Sequence, residues 1–319
     1  MQHYLFKHQL NFRFPFHIAH GIRKHTDVVY LKLQHEAYTA WGEAALPPYL
    51  SETQRSVVDF IYAFMHAHLG LEPEALLTEL QQEQINMPAR AALDMALHSL
   101  LSQMQRTTMA FHLNITQLKI PPSFYTIAAC SSLHEMQERV QHGLKCGFSY
   151  FKLKLTDEDI APTVEWFTSA TSAPFAVDAN QSWRSLQKAV SNSHFLKGHG
   201  CLLIEQPFPK NELALSAKFR LQSSLPVFAD ESCQRLSQLP AVAEAFDGVN
   251  IKLMKCGGLS EALQMIHSAR AKGMQVLIGC MSESSIGCDA AAHLAPLCDY
   301  ADLDGPFLIT NDFNGQQWA

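Results

Sequence analysis

The spacing of apolar residues changes rhythm about a third of the way along the chain. The first part opens with short alternating runs, Tyr4-Leu5-Phe6, Phe12-Arg13-Phe14-Pro15-Phe16 and Val28-Val29-Tyr30-Leu31-Lys32-Leu33, which predict strands. Trp41-Gly42-Glu43-Ala44-Ala45-Leu46 closes that sheet and leads into the loop Pro47-Pro48-Tyr49. Between two of the strands lies a polar, basic segment, His20-Gly21-Ile22-Arg23-Lys24-His25-Thr26. It is either a plain turn or a lid over a site, and its length favours a connection. From Ser51 the period becomes helical. Ser51 to Gln54 offer an N-cap and an acidic first turn before Val57, Ile61 and Phe64, and Leu77 and Leu80 suggest a short second helix. Pro88 then opens a helix striped by Ala92, Leu93, Ala96, Leu97, Leu100, Leu101 and Met104. Residues 1–110 are therefore expected to form a small α+β unit, with a polar junction from Arg106 to Ser123.

Beyond the junction strands and helices alternate. Strand-like runs fall at Tyr125–Ala129, Tyr150–Leu155, Phe175–Val177, Leu202–Ile204, Val227–Ala229, Val249–Leu253, Val276–Ile278 and Ala301–Leu303. Helical windows such as Leu133–Leu144, Pro162–Ala170, Leu186–Leu196 and Leu259–Ala271 lie between them. This pattern predicts an α/β fold, a (β/α)8-type barrel over residues 111–305 with a C-terminal segment at 306–319. An open doubly wound sheet fits less well, because no Gly-rich phosphate turn follows the first strand.

Three consecutive strand-like runs end in an acid: Asp178, Glu205 and Asp230. In a parallel barrel these ends share one rim, so the carboxylates converge. Converging carboxylates repel one another unless a cation stands among them. An all-oxygen set suits Mg²⁺ better than Zn²⁺. Three separate helix caps are the plainer alternative, less fitting for acids in consecutive units. In Phe151-Lys152-Leu153-Lys154-Leu155, alternation puts both lysines on the face opposite the apolar side chains, inside the barrel. Lys252 in Asn250-Ile251-Lys252-Leu253 is placed likewise. Buried lysines are costly unless paired or functional. Two adjacent cations are also expected to depress each other's pKa, as a lysine base requires. Strands two and six oppose each other, so Lys154 and Lys252 would flank a metal-bound substrate. That arrangement suits removal of an α-proton beside a carboxylate, an enediolate, and return of a proton to the other face.

Hydrophobic residues make up 47% and charged residues 17% of the 319, as in an ordinary soluble globular protein, and the net charge of −6 argues against non-specific nucleic-acid binding. The eight cysteines form no CxxC pair and read as reduced core thiols. The start Met1-Gln2-His3-Tyr4 has no charged-then-apolar leader and no run of 18 apolar residues occurs, so a cytoplasmic protein without membrane contact is expected. The composition leaves a homo-oligomer open.

The motifs Lys152-x-Lys154, Asp178-Ala179-Asn180, Glu205-Gln206-Pro207, Ala229-Asp230-Glu231-Ser232 and Asn250-x-Lys252-x-x-Lys255-x-Gly257-Gly258 resemble the enolase superfamily, muconate-lactonising-enzyme subgroup. The resemblance spans nearly the whole chain, including the run Arg90 to Leu97 at the junction. It implies a (β/α)7β barrel with a capping domain, one Mg²⁺ per subunit on Asp178, Glu205 and Asp230, and Lys154 and Lys252 as acid/base pair. Lys152 would assist the substrate carboxylate and lower the pKa of Lys154. Within the subgroup, Asp302-Leu303-Asp304 resembles the Asp-x-Asp with which dipeptide epimerases bind an α-ammonium, and Gly279-Cys280-Met281-Ser282-Glu283-Ser284 resembles their substrate loop. Two carboxylates suit an ammonium and repel an N-succinyl group. Arg23, in the loop that covers the site in this family, would pair with a γ-carboxylate, which points to L-Ala-D/L-Glu. Thr126, Cys280 and Ser282 fall at substrate contacts. The Lys154-to-Asp178 unit is short for the family, a departure on the outer helix. The alternatives are an N-acylamino acid racemase or o-succinylbenzoate synthase, and a metal-binding barrel without catalysis.

Overall fold

The computed structural model describes residues 1–18, 21–47, 50–116, 119–156 and 158–313. His20, Pro48, Tyr49 and the last six residues of the expected C-terminal segment lie outside the described residues. The N-terminal part forms an antiparallel sheet, β1 (Gln2–Ile18), β2 (Gly21–His35) and β3 (Tyr38–Leu46), in that order. Gly21 to Thr26 are therefore strand and not a turn: β2 pairs back on β1 through Ile18↔Gly21, Phe16↔Arg23 and Leu10↔Thr26. Ladder bonds satisfy the backbone whatever the side chains, and Lys24 and His25 stay exposed, so pairing costs them no desolvation.

Three helices cover one face of the sheet, α1 (Gln54–Ala67), α2 (Pro73–Leu80) and α3 (Met87–Met104). Thr53 starts α1 with a capping box to Ser56. Val29, Leu31, Leu33 and Ala44 pack there with Val57, Ile61, Leu76, Leu93 and Leu97. The alternate positions Leu10, Val28, Tyr30 and Ala45 join the barrel's core instead, with Ala91 and Met95 of α3. Both faces of the sheet are thus buried, as period-two alternation of apolar residues on both phases requires. Gly42 permits the close approach of β3 to α3, since a Cβ there would lie 1.9 Å from the Ala92 carbonyl oxygen.

After the short α4 (Met109–His112), eight parallel strands follow among the described residues: β4 (Phe124–Ile127), β5 (Tyr150–Lys154), β6 (Phe175–Asp178), β7 (Cys201–Glu205), β8 (Val227–Ala229), β9 (Gly248–Lys252), β10 (Gln275–Gly279) and β11 (Tyr300–Asp302). Each pairs with its sequence neighbour. The barrel seam between β11 and β4 closes through one parallel bridge, Ser123↔Ala301, and the bond from Ala301 N to Pro122 O at 3.0 Å. Around it run α5 (Leu133–Lys145), α6 (Ile160–Ala170), α7 (Leu186–Gly198), α8 (Leu213–Arg220), α9 (Leu239–Ala243), α10 (Leu253–Cys256), α11 (Leu259–Ala271), α12 (Ser285–Ala292) and α13 (Gly305–Leu308). The apolar pattern did not mark α8, α9 or α12, which are short. No helix among the described residues is long and apolar enough to cross a membrane.

Outward residues such as Phe151, Leu153, Val177, Ile204 and Ile251 pack under these helices. The inward layer at the strand starts is apolar, built from Phe124, Ala176, Leu203, Phe228 and Leu277. Above it the inward positions turn polar, which places the chemistry at the C-terminal rim. All eight cysteines are free thiols, in keeping with the expectation from their spacing.

The α+β unit is tied to the barrel through α3. Arg90, 2% exposed, donates to Glu261 Oε2 at 2.8 Å and to the Cys256 carbonyl at 3.4 Å, and Ser260 N donates to Asp94 Oδ1 at 3.2 Å. Gly258, with φ +120°, leaves room for Asp94.

Candidate active site

The inward polar residues of neighbouring strands meet in register. Lys154 pairs with Asp178, and Asp178 with Glu205, at the ends of β5, β6 and β7. Asp230 follows β8 directly. All three acids are buried. The backbone turns sharply after two of them, with positive φ at Asn180, Gln181 and Gln206. Asparagine adopts that conformation readily, whereas glutamine holds it where its surroundings enforce it, and side-chain bonds hold Asn180 and Gln206 here. Asn180 Nδ2 donates to Asp178 Oδ2 at 3.0 Å. Gln206 Oε1 accepts from Asp230 N at 2.9 Å and Ser232 N at 3.0 Å, while its Nε2 donates to Ser232 Oγ at 2.8 Å. Gln206 thereby fixes the end of β8 from the end of β7.

Every acid is engaged by a lysine. Lys154 Nζ stands 3.4 Å from Asp178 Oδ2 and is the most open lysine of the set, with a third of its side chain exposed. Lys252 Nζ stands 2.7 Å from Asp230 Oδ2. Lys255, buried, donates to Asp230 Oδ1 at 2.6 Å, the Asp230 carbonyl at 2.8 Å and the Asn250 carbonyl at 2.8 Å. Burial opposes ionisation of Asp230, yet Lys252 and Lys255 hold its carboxyl well below the usual range. Lys152 Nζ contacts Asp302 Oδ2 and lies 3.3 Å from Glu205 Oε2. The expected mutual depression of adjacent lysines does not hold for Lys152. Burial pushes its pKa down, but Asp302 and Glu205 outweigh burial and the distant Lys252, and raise it well above the ordinary value. A lysine between two carboxylates follows its nearest opposite charges.

Glu205 accepts from Asn250 Nδ2 at 2.7 Å. Burial, with Asp178 and Asp230 adding to it and Lys152 opposing it, pushes Glu205 up to about 7. Glu231 is likewise pushed up to about 7 by burial and then by Asp230 and Asp178. Its Oε2 is buried without a hydrogen-bond partner among the described residues. The row thus holds carboxyl groups that burial pushes toward the neutral form and an orphaned acceptor, and the oxygens it offers are all carboxylate. These properties fit a hard divalent cation. Among the described residues no three His, Cys, Asp or Glu side chains are gathered as a ready metal site.

Across the seam, Thr126 connects to the two acids of β11 and its loop. Its backbone N donates to Asp304 Oδ2, and its Oγ1 to Asp302 Oδ1 at 3.3 Å. Both aspartates are 3% exposed. Asp304 precedes α13 without capping it. Burial and then Asp302 push Asp304 up to about 7, against the Thr126 bonds. Cys280 N donates to the Asp302 carbonyl at 3.0 Å, which brings the loop Gly279–Ser284 alongside, with Ser282 half-buried on it. Arg23 lies on β2, half-buried, with its guanidinium 5.2 Å from the centre of the Phe12 ring. Sequence reasoning gave no role to Lys255, Asn250 or Gln206, although all three lie inside its motifs. Gln206 follows Glu205 directly and Lys255 lies one helical turn after Lys252, and these placements were the available signal.

Two further acids meet at the end of this loop, one on β3 and one in the loop itself. Glu43 of β3 and Glu283 are both buried. Burial pushes Glu43 up to about 7, against its bonds from Ser284 and Gly287. Burial and then Glu43 push Glu283 up to about 8, with Lys252 opposing.

Residues 134–310 match the family described as enolase C-terminal domain-like, and residues 1–111 match the mandelate racemase / muconate lactonizing enzyme N-terminal domain. The chain is 38% identical over 312 residues to an L-Ala-D/L-Glu epimerase of Bacteroides thetaiotaomicron, covering 96% of this chain and 80% of that one. Among solved structures, a substrate-liganded complex of the L-Ala-D/L-Glu epimerase from Bacillus subtilis is similar with a TM-score of 0.90 and 29% identity, covering 98% of this chain and 91% of the other. A dipeptide epimerase from Enterococcus faecalis complexed with Mg and the dipeptide L-Leu-L-Tyr is similar with a TM-score of 0.89 and 27% identity, covering 98% and 92%.

Proposed function

The chain belongs to the mandelate racemase / muconate lactonizing enzyme family of the enolase superfamily, and on that premise we propose a dipeptide epimerase that inverts the α-carbon of the C-terminal residue, with L-Ala-D/L-Glu as substrate. The observation that carries the proposal is the approach of Lys154 and Lys252 to one row of acids from opposite strands of the barrel, β5 and β9. A planar carbon held between them is open to one ammonium or amine on each face. One lysine takes the α-proton, breaking C–H and forming N–H, and the opposite lysine gives a proton to the other face. A divalent cation on Asp178, Glu205 and Asp230, Mg²⁺ in this proposal, supplies positive charge to the substrate carboxylate and so acidifies the adjacent C–H.

The other residues bind and orient. Lys152, kept charged by Asp302 and Glu205, is suited to hold the substrate carboxylate. Asp302 and Asp304 take the α-ammonium, with Thr126 fixing both carboxylates. Cys280 and Ser282 face the peptide backbone, and Arg23 takes the γ-carboxylate of the second residue. Such a substrate suits a cytoplasmic role in recycling cell-wall peptides.

The test is mass spectrometry of a dipeptide library incubated with protein and Mg²⁺ in D₂O. A gain of one deuterium at the α-carbon of Ala-Glu, lost in EDTA, is the expected result. Label on other dipeptides alone would keep the chemistry and remove the assigned role of Arg23. Label on N-acylamino acids alone, or on nothing, would overturn the proposal.

A further inference from the structure

The α+β unit reaches the barrel rim through one buried acid that the proton transfer does not use. Glu43, on β3, is 0% exposed. Its Oε1 accepts from Ser284 N at 2.9 Å, and its Oε2 accepts from Ser284 Oγ at 2.6 Å and Gly287 N at 3.0 Å. Ser284 caps α12, so these donors belong to the first turn of that helix, whose N–H groups have no partner within it. A carboxylate there is also favoured by the helix dipole.

Glu283 completes the arrangement from the loop itself. Its Oε1 accepts from Met281 N at 2.7 Å. A Cβ on Gly287 would lie 2.2 Å from Glu283 Oε2 and 3.2 Å from Glu43 Oε2, so the two carboxyl groups flank one point and only glycine leaves it open to them. The loop Gly279–Ser284 is thus anchored at both ends. Its start is fixed by strand pairing of Gly279 with Lys252 and Asp302 and by the bond from Cys280 N to the Asp302 carbonyl. Its end is fixed from another part of the chain, by Glu43.

We infer that Glu43 is a positioning residue of the substrate site: its carboxylate sets where the loop Gly279–Ser284 stands over the rim, so the α+β unit controls substrate affinity through this one contact. The inference rests on the proposed dipeptide epimerase for its substrate, but not for the anchoring itself. Glu43 is a buried acceptor of three bonds that ties the end of the loop to a strand 241 positions away in the chain. The proton-transferring lysines hold their own acid partners, Asp178 and Asp230, and neither of those ion pairs includes Glu43.

Two measurements on Glu43→Ala, Glu43→Gln and Ser284→Ala test this, at a temperature where circular dichroism shows each folded. Hydrogen exchange of residues 280–288 is expected to be about tenfold faster in Glu43→Ala, with Ser284→Ala in between. The KM for L-Ala-L-Glu is expected to rise about tenfold in Glu43→Ala while kcat changes little, and to recover in part in Glu43→Gln, which keeps an acceptor for Ser284 N. A purely structural role would lower the melting temperature without this split. Wild-type KM and wild-type loop protection in Glu43→Ala would overturn the inference. If Glu43→Ala does not fold, unchanged exchange and KM in both other variants would overturn it. Absence of dipeptide turnover by the wild-type protein would instead remove the functional proposal, and the exchange of residues 280–288 would still decide whether Glu43 anchors the loop.

Discussion

Replacing Lys255 by methionine removes one positive charge from the barrel interior and keeps most of the side-chain volume. The Lys255 ammonium has three protons and spends all of them, on Asp230 Oδ1 at 2.6 Å, the Asp230 carbonyl at 2.8 Å and the Asn250 carbonyl at 2.8 Å. Lys255 and Asp230 are each 4% exposed, so water does not screen the pair. Removing one partner of a buried pair typically costs roughly 3–5 kcal/mol, because the other charge is left uncompensated. Asp230 keeps Lys252 at 2.7 Å, which puts the expected loss at the lower end, about 3 kcal/mol. The depressed pKa of Asp230 gives the sign of the pH dependence. The stabilisation is present above the unfolded carboxyl value of about 3.9 and is lost as pH falls toward the folded value. Urea unfolding in EDTA should therefore separate Lys255→Met from the wild type strongly at pH 7 and weakly near the acid limit. A cation bound to Asp230 would replace part of the missing charge, so Mg²⁺ should narrow the gap at pH 7. A loss below about 1 kcal/mol at pH 7, the scale of an exposed ion pair, would refute the reasoning.

Further predictions concern recognition, packing and pH. Asp302→Asn with Asp304→Asn should raise the KM for L-Ala-L-Glu by at least about tenfold, since each ammonium partner lost costs more than 1 kcal/mol; steady-state kinetics on the double variant, unchanged in KM, would contradict the assignment. Gly42→Ala places a methyl carbon 1.9 Å from the Ala92 carbonyl oxygen and should destabilise the protein by about 2–3 kcal/mol, read as an earlier urea midpoint. Burial pushes Glu43 up to about 7 and Glu283 up to about 8, above the unfolded value of about 4.3, so the folded state holds protons that the unfolded state has released. Stability should fall as pH rises between roughly 5 and 8, and Glu283→Gln should flatten that fall in thermal melts.

Much of the barrel was legible because its signals are local. Alternation fixed the inward phase of Lys152, Lys154 and Lys252, and the acids stand where apolar runs stop, so strand ends and rim coincide. The structure brings Lys154 to Asp178 and Lys252 to Asp230 as that phase requires. What the sequence hid depends on distant parts of the chain or on competition between neighbours. Gly21 to Thr26 have turn composition, yet pairing to β1 makes them strand. Lys152 neighbours Lys154 along its strand, but Asp302, 150 positions away, and Glu205 together outweigh burial and raise it. Glu43 lies in an unremarkable strand, and its partner Ser284 is known only once the sheet is docked on the barrel. Lys255 and Gln206 sat in the motifs, but their bonds reach across strand ends, which no spacing along one strand reveals.

In the proposed reaction two lysines serve opposite faces of one carbon. Its most direct test is proton NMR in D₂O of Lys154→Ala and Lys252→Ala, each given L-Ala-L-Glu and L-Ala-D-Glu separately with Mg²⁺. Each variant is expected to lose epimerisation by at least about a hundredfold, the usual contribution of a positioned base, yet still to exchange the α-proton of one epimer, a different one for each variant. Both variants losing exchange on the same epimer, or either retaining full epimerisation, would contradict that reaction.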